Sequence, residues 1–356
     1  MSDKPTYRVP SMEQVIHMRG TNGYTMVSTF SGCGGSCLGF EMAGFKPLRA
    51  HEFIAAAAEA YQANHPNVEV DTRDLRFVRG DEILQAIGLQ KGELDVLEGS
   101  PPCSAFSTAG NRAKDWGKIK DYSDGAQRTD DLFYEYSRLI GDIQPKVFVA
   151  ENVPGLIMGK AKGYFLLILQ SLKDNGYRVE ARVLDSQWMG VPQSRKRLIF
   201  VGVRNDLLDK EGNPLQPAFP TPLSYNYTIR EAFIGCPPPN GKDEEGLPIR
   251  NKYLFEYRKL LPGQRSTKYF QLERCHPDKP SHTILAAAHT AAGVTHPFEA
   301  RKFHIPELRR LQSFPDDFKL TGGFRTQWER IGRSVPPLMM EKVAATVRDD
   351  ILGRMK

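Results

Sequence analysis

The chain has 356 residues, 40% of them hydrophobic and 25% charged, with 48 Lys+Arg against 42 Asp+Glu for a formal net charge of +6. That composition supports a packed core and excludes a disordered chain, a collagen-like chain and a coiled coil. No apolar run reaches the ~20 residues that a membrane-spanning helix needs, and the opening stretch MSDKPTYRVPSMEQVIHMRG lacks the apolar core of a signal peptide, so a cytoplasmic protein is expected.

From residue 24 to 203 short apolar runs alternate with helical patterns. Strands are expected at 24–30, 48–52, 68–70, 94–98, 146–151, 178–184 and 198–203, and helices at 55–64, 80–87, 131–140 and 163–174. This alternation predicts an α/β domain over 21–204, a mostly parallel sheet with helices on both faces, after an N-terminal extension of residues 1–20. Beyond Arg204 the prolines crowd: Pro214, Pro217, Pro220 and Pro222, then Pro237 to Pro239. Such density marks loops, and a smaller, irregular second domain is expected over 205–300. Helical patterning returns at 306–312 and 337–352, so residues 301–356 are expected to pack back on the first domain. That last segment is rich in basic residues, as is the stretch from Arg112 to Arg128 with Lys114, Lys118 and Lys120. Charge of this kind suits either a solvated surface or a polyanion partner.

Five cysteines, Cys33, Cys37, Cys103, Cys236 and Cys275, form an odd, scattered set that suits free thiols rather than a disulfide framework. Cys33 and Cys37 are four apart and Cys275 precedes His276, but no second close pair completes a zinc ligand set, and no structural metal is expected.

The first expected strand runs into Phe30-Ser31-Gly32-Cys33-Gly34-Gly35. Glycines after a strand permit a tight turn and let backbone amides approach a ligand at a helix N-terminus. A dinucleotide fingerprint would need glycine at position 37, where Cys37 stands. Glu52 ends the second strand, placed to accept hydrogen bonds from ribose hydroxyls, and Asp74 follows the third, within reach of an adenine amino group. These features suggest a nucleoside-containing cofactor. The fourth strand leads into Pro101-Pro102-Cys103, where two prolines stiffen the backbone around one thiol at the strand edge used by α/β active sites. A cysteine there is either an inert small hydrophobe or a nucleophile, and the prolines favour the nucleophile. Glu151 ends the fifth strand, as a helix cap or a working acid, and Arg195 and Arg197 share one face if their stretch is extended.

Together these residues resemble the S-adenosylmethionine-dependent DNA (cytosine-5)-methyltransferases of prokaryotic and phage type. The likeness spans about residues 24–352, with the motifs in order: the glycine loop, Glu52, Asp74, Pro101-Pro102-Cys103, Leu132-Phe133-Tyr134-Glu135, Glu151-Asn152-Val153, Gln193 with Arg195 and Arg197, Pro280-Ser281-His282-Thr283, Arg309 with Leu311-Gln312-Ser313-Phe314-Pro315, and Gly332 with Ser334-Val335-Pro336-Pro337. The resemblance implies a Rossmann-like fold and transfer of a methyl group from S-adenosylmethionine to carbon 5 of a cytosine flipped out of double-stranded DNA, leaving S-adenosylhomocysteine. It assigns Cys103 as the nucleophile at carbon 6, Glu151 to the 3-nitrogen and exocyclic amine, and Arg197 to the 2-carbonyl oxygen with Arg195 beside it. It assigns Phe30, Ser31, Gly32, Gly34, Gly35, Glu52, Phe53, Asp74, Leu75 and Pro102 to the cofactor, with Ser334 and Val335 closing the pocket. The segment 109–128 would be a mobile catalytic loop. The segment 205–300 would read DNA, with Arg265, Lys268, Arg274 and His289 as candidates that serve either as base or phosphate contacts or as plain surface charge.

Two positions depart from the pattern: Ser104 stands where glutamine is usual and Arg333 where asparagine is usual. The resemblance further implies a monomer in a prokaryotic or phage-infected cell, acting alone or beside a restriction endonuclease for the same site. The alternatives are a tRNA cytosine-5 methyltransferase, a catalytically silent DNA-binding relative, and a nicotinamide-dependent oxidoreductase. The last would explain the glycine loop and Glu52 but not Pro101-Pro102-Cys103.

Overall fold

The structure, a computed structural model, describes residues 4–102, 119–122, 125–128, 131–159, 161–269, 272–289 and 293–356. Cys103, Ser104, Arg112, Lys114 and Lys118 therefore lie outside the described residues, and only backbone is described for 119–122, 125–128 and 288–289.

Helix α1 (Met12–Met18) starts at a capping box, Ser11 accepting from the Gln14 amide while Gln14 reaches back to the Ser11 N–H. The chain then alternates β1 (Thr25–Thr29), α2 (Gly35–Met42), β2 (Lys46–His51), α3 (Ala55–Asn64), β3 (Glu69–Asp71), α4 (Gly80–Ile87) and β4 (Val96–Gly99). A hairpin of β5 (Ile119–Tyr122) and β6 (Gly125–Arg128) is followed by α5 (Leu132–Ile143), β7 (Val147–Asn152), α6 (Ala161–Asp174), β8 (Tyr177–Asp185), β9 (Gln193–Ser194) and β10 (Lys196–Arg204). The 205–300 segment holds α7 (Ile229–Ala232), α8 (Asn251–Lys259) and three two-residue strands, β11 (Glu273–Arg274), β12 (Ser281–His282) and β13 (Val294–Thr295). Helices α9 (Ile305–Leu311), α10 (Phe324–Arg333) and α11 (Pro337–Thr346) end the chain.

Seven strands form the central sheet in the order β3-β2-β1-β4-β7-β10-β8. All neighbouring pairs are parallel except those of β10, which runs antiparallel to both β7 and β8. The expected mostly parallel, Rossmann-like sheet is thus observed. Its inner strands are apolar on both faces because helices cover both. On one face Met26, Val96, Val147 and Val149 pack with Phe40 of α2 and Met340 of α11; on the other Val27, Leu97, Phe148 and Ala150 pack with Phe133 and Ile140 of α5 and Leu172 of α6.

The C-terminal helices close the first face. A side chain at Gly39 would meet the Met340 Cβ at 2.5 Å and the Pro337 carbonyl at 2.6 Å, so only glycine lets α2 and α11 approach this closely. The N-terminal residues reach across to the same end, Tyr7 donating to the Arg310 carbonyl at 2.8 Å and the Met12 amide donating to Asp317 at 2.9 Å. Within 205–300, Leu207, Leu215, Tyr227, Ile229 and Ile284 join the larger core, whereas Leu260 and Leu272 form a cluster of their own with Tyr253 and Tyr269. No helix among the described residues is long and apolar enough to cross a membrane.

Candidate active site

The strand order reverses between β1 and β4: from β1 the chain winds outward to β2 and β3, and from β4 it winds the other way to β7. Ligands of such sheets bind in the crevice that opens at this reversal, beyond the carboxyl ends of the strands. The glycine loop follows β1 there, and Pro101-Pro102 follow β4.

The loop turns through left-handed backbone at Phe30 (φ 52°), Gly32 (φ 55°) and Gly34 (φ 97°), the last residue before α2. Phe30, the only one of the three with a side chain, adopts a conformation uncommon outside glycine. At the end of β2, Glu52 accepts from the Gly32 amide at 2.7 Å and from the Ile54 amide at 2.8 Å. Burial raises its pKa while those two amides pull it back down. A Cβ at Gly32 would meet nothing within 4 Å, so open space lies beside this carboxylate. Phe53 is 37% exposed next to it. Asp74 caps the short turn Leu75–Phe77, accepting from the Arg76 amide at 3.1 Å and pairing with the Arg76 guanidinium at 2.8 Å, and Leu75 is buried beneath. Ser334 and Val335 return from the C-terminal end: the Cys33 thiol lies 3.0 Å from the Ser334 hydroxyl, and a side chain at Gly35 would strike the Val335 carbonyl at 2.5 Å. The structure thus brings Gly32 to Glu52, and Cys33 and Gly35 to Ser334 and Val335, around the glycine loop.

The second half of the site lies one strand further on. Asn152, at the end of β7, donates to the Pro101 carbonyl at 3.1 Å and so ties the turn before Cys103 to the neighbouring strand. Ile199 of β10 faces Glu151 of β7, which makes Arg197 a diagonal neighbour of Glu151 on the same face. Their charges meet at 2.5 Å, each side chain only 12% exposed. Burial lowers the Arg197 pKa and the Glu151 charge opposes the shift. Arg195 is placed differently. It is fully buried, donating to the Ile284, Gly332 and Arg333 carbonyls at 3.2, 2.9 and 3.3 Å, and burial drives its pKa well down.

One residue of this face carries no role from sequence. Glu98 of β4 is 1% exposed and accepts from the Ser28 hydroxyl at 2.7 Å. Burial pushes its pKa up to about 7, the Ser36 and Ser28 hydroxyls opposing the shift. The only signal in the sequence was an acid near the end of an apolar strand, three residues ahead of the proline pair. Nearby, Cys37, Glu41 and His65 bring ligand-type atoms together, but each has a protein partner: Tyr61 for Cys37, Arg19 and His65 for Glu41.

In the 205–300 segment the candidate readers separate. Arg274 donates to the Pro297 and Leu260 carbonyls at 2.8 and 2.9 Å and lies over the Tyr257 ring, an internal brace. Arg265 is paired with the buried Glu273 at 2.7 Å. Lys268 is exposed beside Tyr269, and the side chain of His289 lies outside the described residues.

The sheet edge carries a glycine loop, an amide-bound carboxylate and a Glu–Arg pair beside the crevice where doubly wound sheets bind their ligands, the arrangement of an α/β enzyme. Comparison with known proteins makes this specific. The family model of C-5 cytosine-specific DNA methylases matches residues 24–349. Type II methyltransferase M1.HphI of Haemophilus parahaemolyticus is 32% identical over 345 residues, covering 91% of this chain and 86% of that protein. M.Sau96I of Staphylococcus aureus is 30% identical over 353 residues, covering 93% and 77%. A solved E. coli prophage protein, a putative DNA modification methyltransferase, shares the fold at a TM-score of 0.73 and 22% identity, covering 92% of this chain and 99% of its own. The chain belongs to the C-5 cytosine-specific DNA methylase family and is a DNA (cytosine-5)-methyltransferase.

Proposed function

We propose that the enzyme methylates carbon 5 of a cytosine flipped out of double-stranded DNA, with S-adenosylmethionine as donor, through a covalent bond between Cys103 and carbon 6. The observation that carries this reading is the buried Glu151–Arg197 pair, joined through Asn152 and Pro101 to the turn that leads to Cys103. Carbon 5 of cytosine is a poor nucleophile. Addition of the Cys103 thiolate to carbon 6 makes it enamine-like, and Glu151 stabilises the charge that develops at the 3-nitrogen and exocyclic amine. Arg197 holds the 2-carbonyl oxygen and keeps Glu151 oriented. Once carbon 5 carries the methyl group, its proton leaves and the electrons of that C–H bond restore the ring double bond as Cys103 departs.

The donor supplies an electrophilic methyl on a sulfonium. Its ribose suits Glu52, its adenine the edge formed by Phe53, Asp74 and Leu75, and its methionine part the cradle of Phe30, Ser31, Gly32, Gly34, Gly35 and Pro102, with Ser334 and Val335 across the opening. The open space beside Gly32 and the amide-anchored Glu52 support that fit. A stacked cytosine is out of reach, so flipping costs a few kcal/mol, offset by contacts in the pocket and to phosphates. The segment 109–128 would close over the base and 205–300 would read flanking bases in the major groove. The likeness to type II methyltransferases supports a role in protecting a host site from a restriction endonuclease, with one monomer acting per strand in the cytoplasm.

The test is transfer of labelled methyl from S-adenosylmethionine to mixed-sequence duplex DNA and to tRNA. Label on cytosine carbon 5 of the duplex is expected. Label confined to tRNA, or no label from protein that binds the donor, would contradict the proposal.

A further inference from the structure

The motif Pro280-Ser281-His282-Thr283 takes no part in the reaction described above, yet the fold sets it at the rim of the site. Strand β12 pairs in parallel with β9, Ser281 opposite Gln193 and His282 opposite Ser194, and the Thr283 hydroxyl donates to the Ser194 carbonyl at 2.8 Å. Ser194 and its partner His282 lie just beyond the sheet edge where β7 and β8 end and β10 begins. Asp185, the last residue of β8, accepts from the Ser194 hydroxyl at 3.1 Å and from the Gln187 side chain at 2.8 Å. Between these residues and the 205–300 segment is a cavity of about 340 Å³, lined by Gln187, Ser194, Glu273, His276, Lys279 and His282 among others.

Glu273, 3% exposed, holds two side chains that stand largely in water. Arg265, 58% exposed, donates to one carboxylate oxygen through Nε and Nη2 at 3.2 and 2.7 Å, and His282, 60% exposed, meets the other oxygen through Nδ1. The backbone holds the same pairing: the Gly263 amide donates to the Arg274 carbonyl at 2.7 Å, the Arg274 amide to the Gln264 carbonyl at 3.0 Å and the Ser266 amide to the Leu272 carbonyl at 2.8 Å. Burial pushes the Glu273 pKa up, but the hydrogen bonds from His282 and Arg265 outweigh it and hold the carboxyl below its usual value. Burying a carboxylate is costly, and partners that stay in water return little of that cost. What the arrangement does secure is direction. Nε and one Nη2 hydrogen of Arg265 are committed to Glu273, and among the described residues nothing meets its Nη1. A phosphate is satisfied by a mobile cation such as Lys268, exposed three residues on with no carboxylate partner among the described residues. A base edge demands donors in a fixed orientation, and the arginine fork matches the adjacent N7 and O6 acceptors of guanine.

We propose that Arg265 is a specificity-determining residue that donates to N7 and O6 of a guanine in the major groove, and that Glu273 is the positioning residue that sets its direction, anchored to the sheet edge through His282. The three residues from Ser194 to Arg197 span about 10 Å, or about three base-pair steps, so the guanine falls within a few base pairs of the flipped cytosine. The inference rests on the reading that 205–300 contacts flanking bases.

The test is methylation of a mixed-sequence duplex library by wild type, Arg265→Ala, Arg265→Lys and Glu273→Gln, with the flanks of each methylated cytosine read after bisulfite conversion. The wild type should require a guanine at a flanking position, and Arg265→Ala should relax that position alone, discrimination there falling by roughly tenfold to a hundredfold. Arg265→Lys keeps a cation against Glu273, so it guards against a folding failure; it should relax the same position, because an ammonium cannot make the paired contact. Glu273→Gln should relax it by a smaller factor. Equal loss on all sequences in the arginine variants, with a salt slope of binding lowered by about one, would mark a phosphate contact and overturn the proposal, as would an unchanged sequence preference. Uniform loss in Glu273→Gln alone would overturn its positioning role. A wild type that methylates duplex cytosines whatever their flanks would instead overturn the reading of 205–300.

Discussion

The sheet edge and the 205–300 segment are built on opposite principles. At the edge of β1, β4, β7 and β10 almost every polar group is buried and already held: Glu52 by two amides, Glu151 by Arg197, Arg195 by three carbonyls, Asn152 by Pro101. Around α8 the apolar cluster is small, and Phe255, Leu261 and Phe298 stand 71%, 65% and 58% exposed, with Lys259 lying 4.2 Å from the Phe255 ring centre. Chemistry needs groups fixed before the substrate arrives, because preorganised dipoles cost nothing to reorient during reaction. Recognition of a long polyanion is served by exposed cations and rings that settle on contact. Substitutions at the edge should therefore change rate or folding, and substitutions around α8 should change affinity and its salt dependence.

The largest effect is expected from Cys103→Ala: methyl transfer below about one part in a thousand of wild type with donor binding retained, since removal of a covalent nucleophile leaves only binding and electrostatic contributions. A variant within tenfold of wild type would break the comparison at its centre. Next, Glu151→Gln and Arg197→Ala should each lower kcat about 10²–10³-fold with KM for the donor nearly unchanged, the usual cost of losing one transition-state contact. Steady-state kinetics over both substrates separates the two constants. Glu52→Gln should do the reverse, raising the donor KM roughly tenfold through loss of a charge-assisted hydrogen bond while kcat is spared.

Glu98 gives a pH signature. Its folded-state pKa is lifted by burial to about 7, so the folded protein holds a proton that the unfolded chain releases. Its contribution is most favourable below the unfolded pKa, and stability falls as pH rises from about 5 to about 8, by on the order of 3 kcal/mol. Glu98→Gln should flatten that part of the profile in denaturant titrations at several pH values; an unchanged slope would remove Glu98 as its source. The smallest effects lie around α8. Arg274→Ala should cost about 1–3 kcal/mol of stability by orphaning buried carbonyls, without altering sequence preference, while Lys259→Ala should leave stability within about 0.5 kcal/mol and reduce the salt slope of DNA binding by roughly one.

Much of the sheet was legible because a strand buried on both faces reads as an apolar run, and Glu52 and Glu151 stood out as acids ending such runs. The expected strand at 24–30 is observed as Thr25–Thr29, and the expected helix at 131–140 runs on to Ile143. Helices α1, α7, α8 and α10 lie outside the expected set: α1 has only seven residues, opened by a capping box, α7 only four, and α8 has a mixed polar surface. Strands of two residues, such as β9 and β12, carry no periodicity at all. The division of labour between Arg195 and Arg197 was hidden for another reason. Two residues apart, Arg195 between β9 and β10 and Arg197 on β10, they differ in partners set by the fold: carbonyls of residues 284, 332 and 333 for Arg195 and Glu151 for Arg197. The bracing of Arg274 was hidden on the same ground, its partners being carbonyls of Leu260 and Pro297.

The central claim is the bond between Cys103 and carbon 6, and its most direct test is to stop the reaction after methyl transfer. In a duplex carrying 5-fluorocytosine at the methylated position, carbon 5 bears fluorine instead of the proton that must leave, so Cys103 cannot be eliminated. The account predicts a denaturation-resistant protein–DNA complex that forms only with S-adenosylmethionine, whose peptide map places the methylated base on Cys103. Turnover of wild-type protein on ordinary duplex without any such complex, or attachment at another residue, would contradict it.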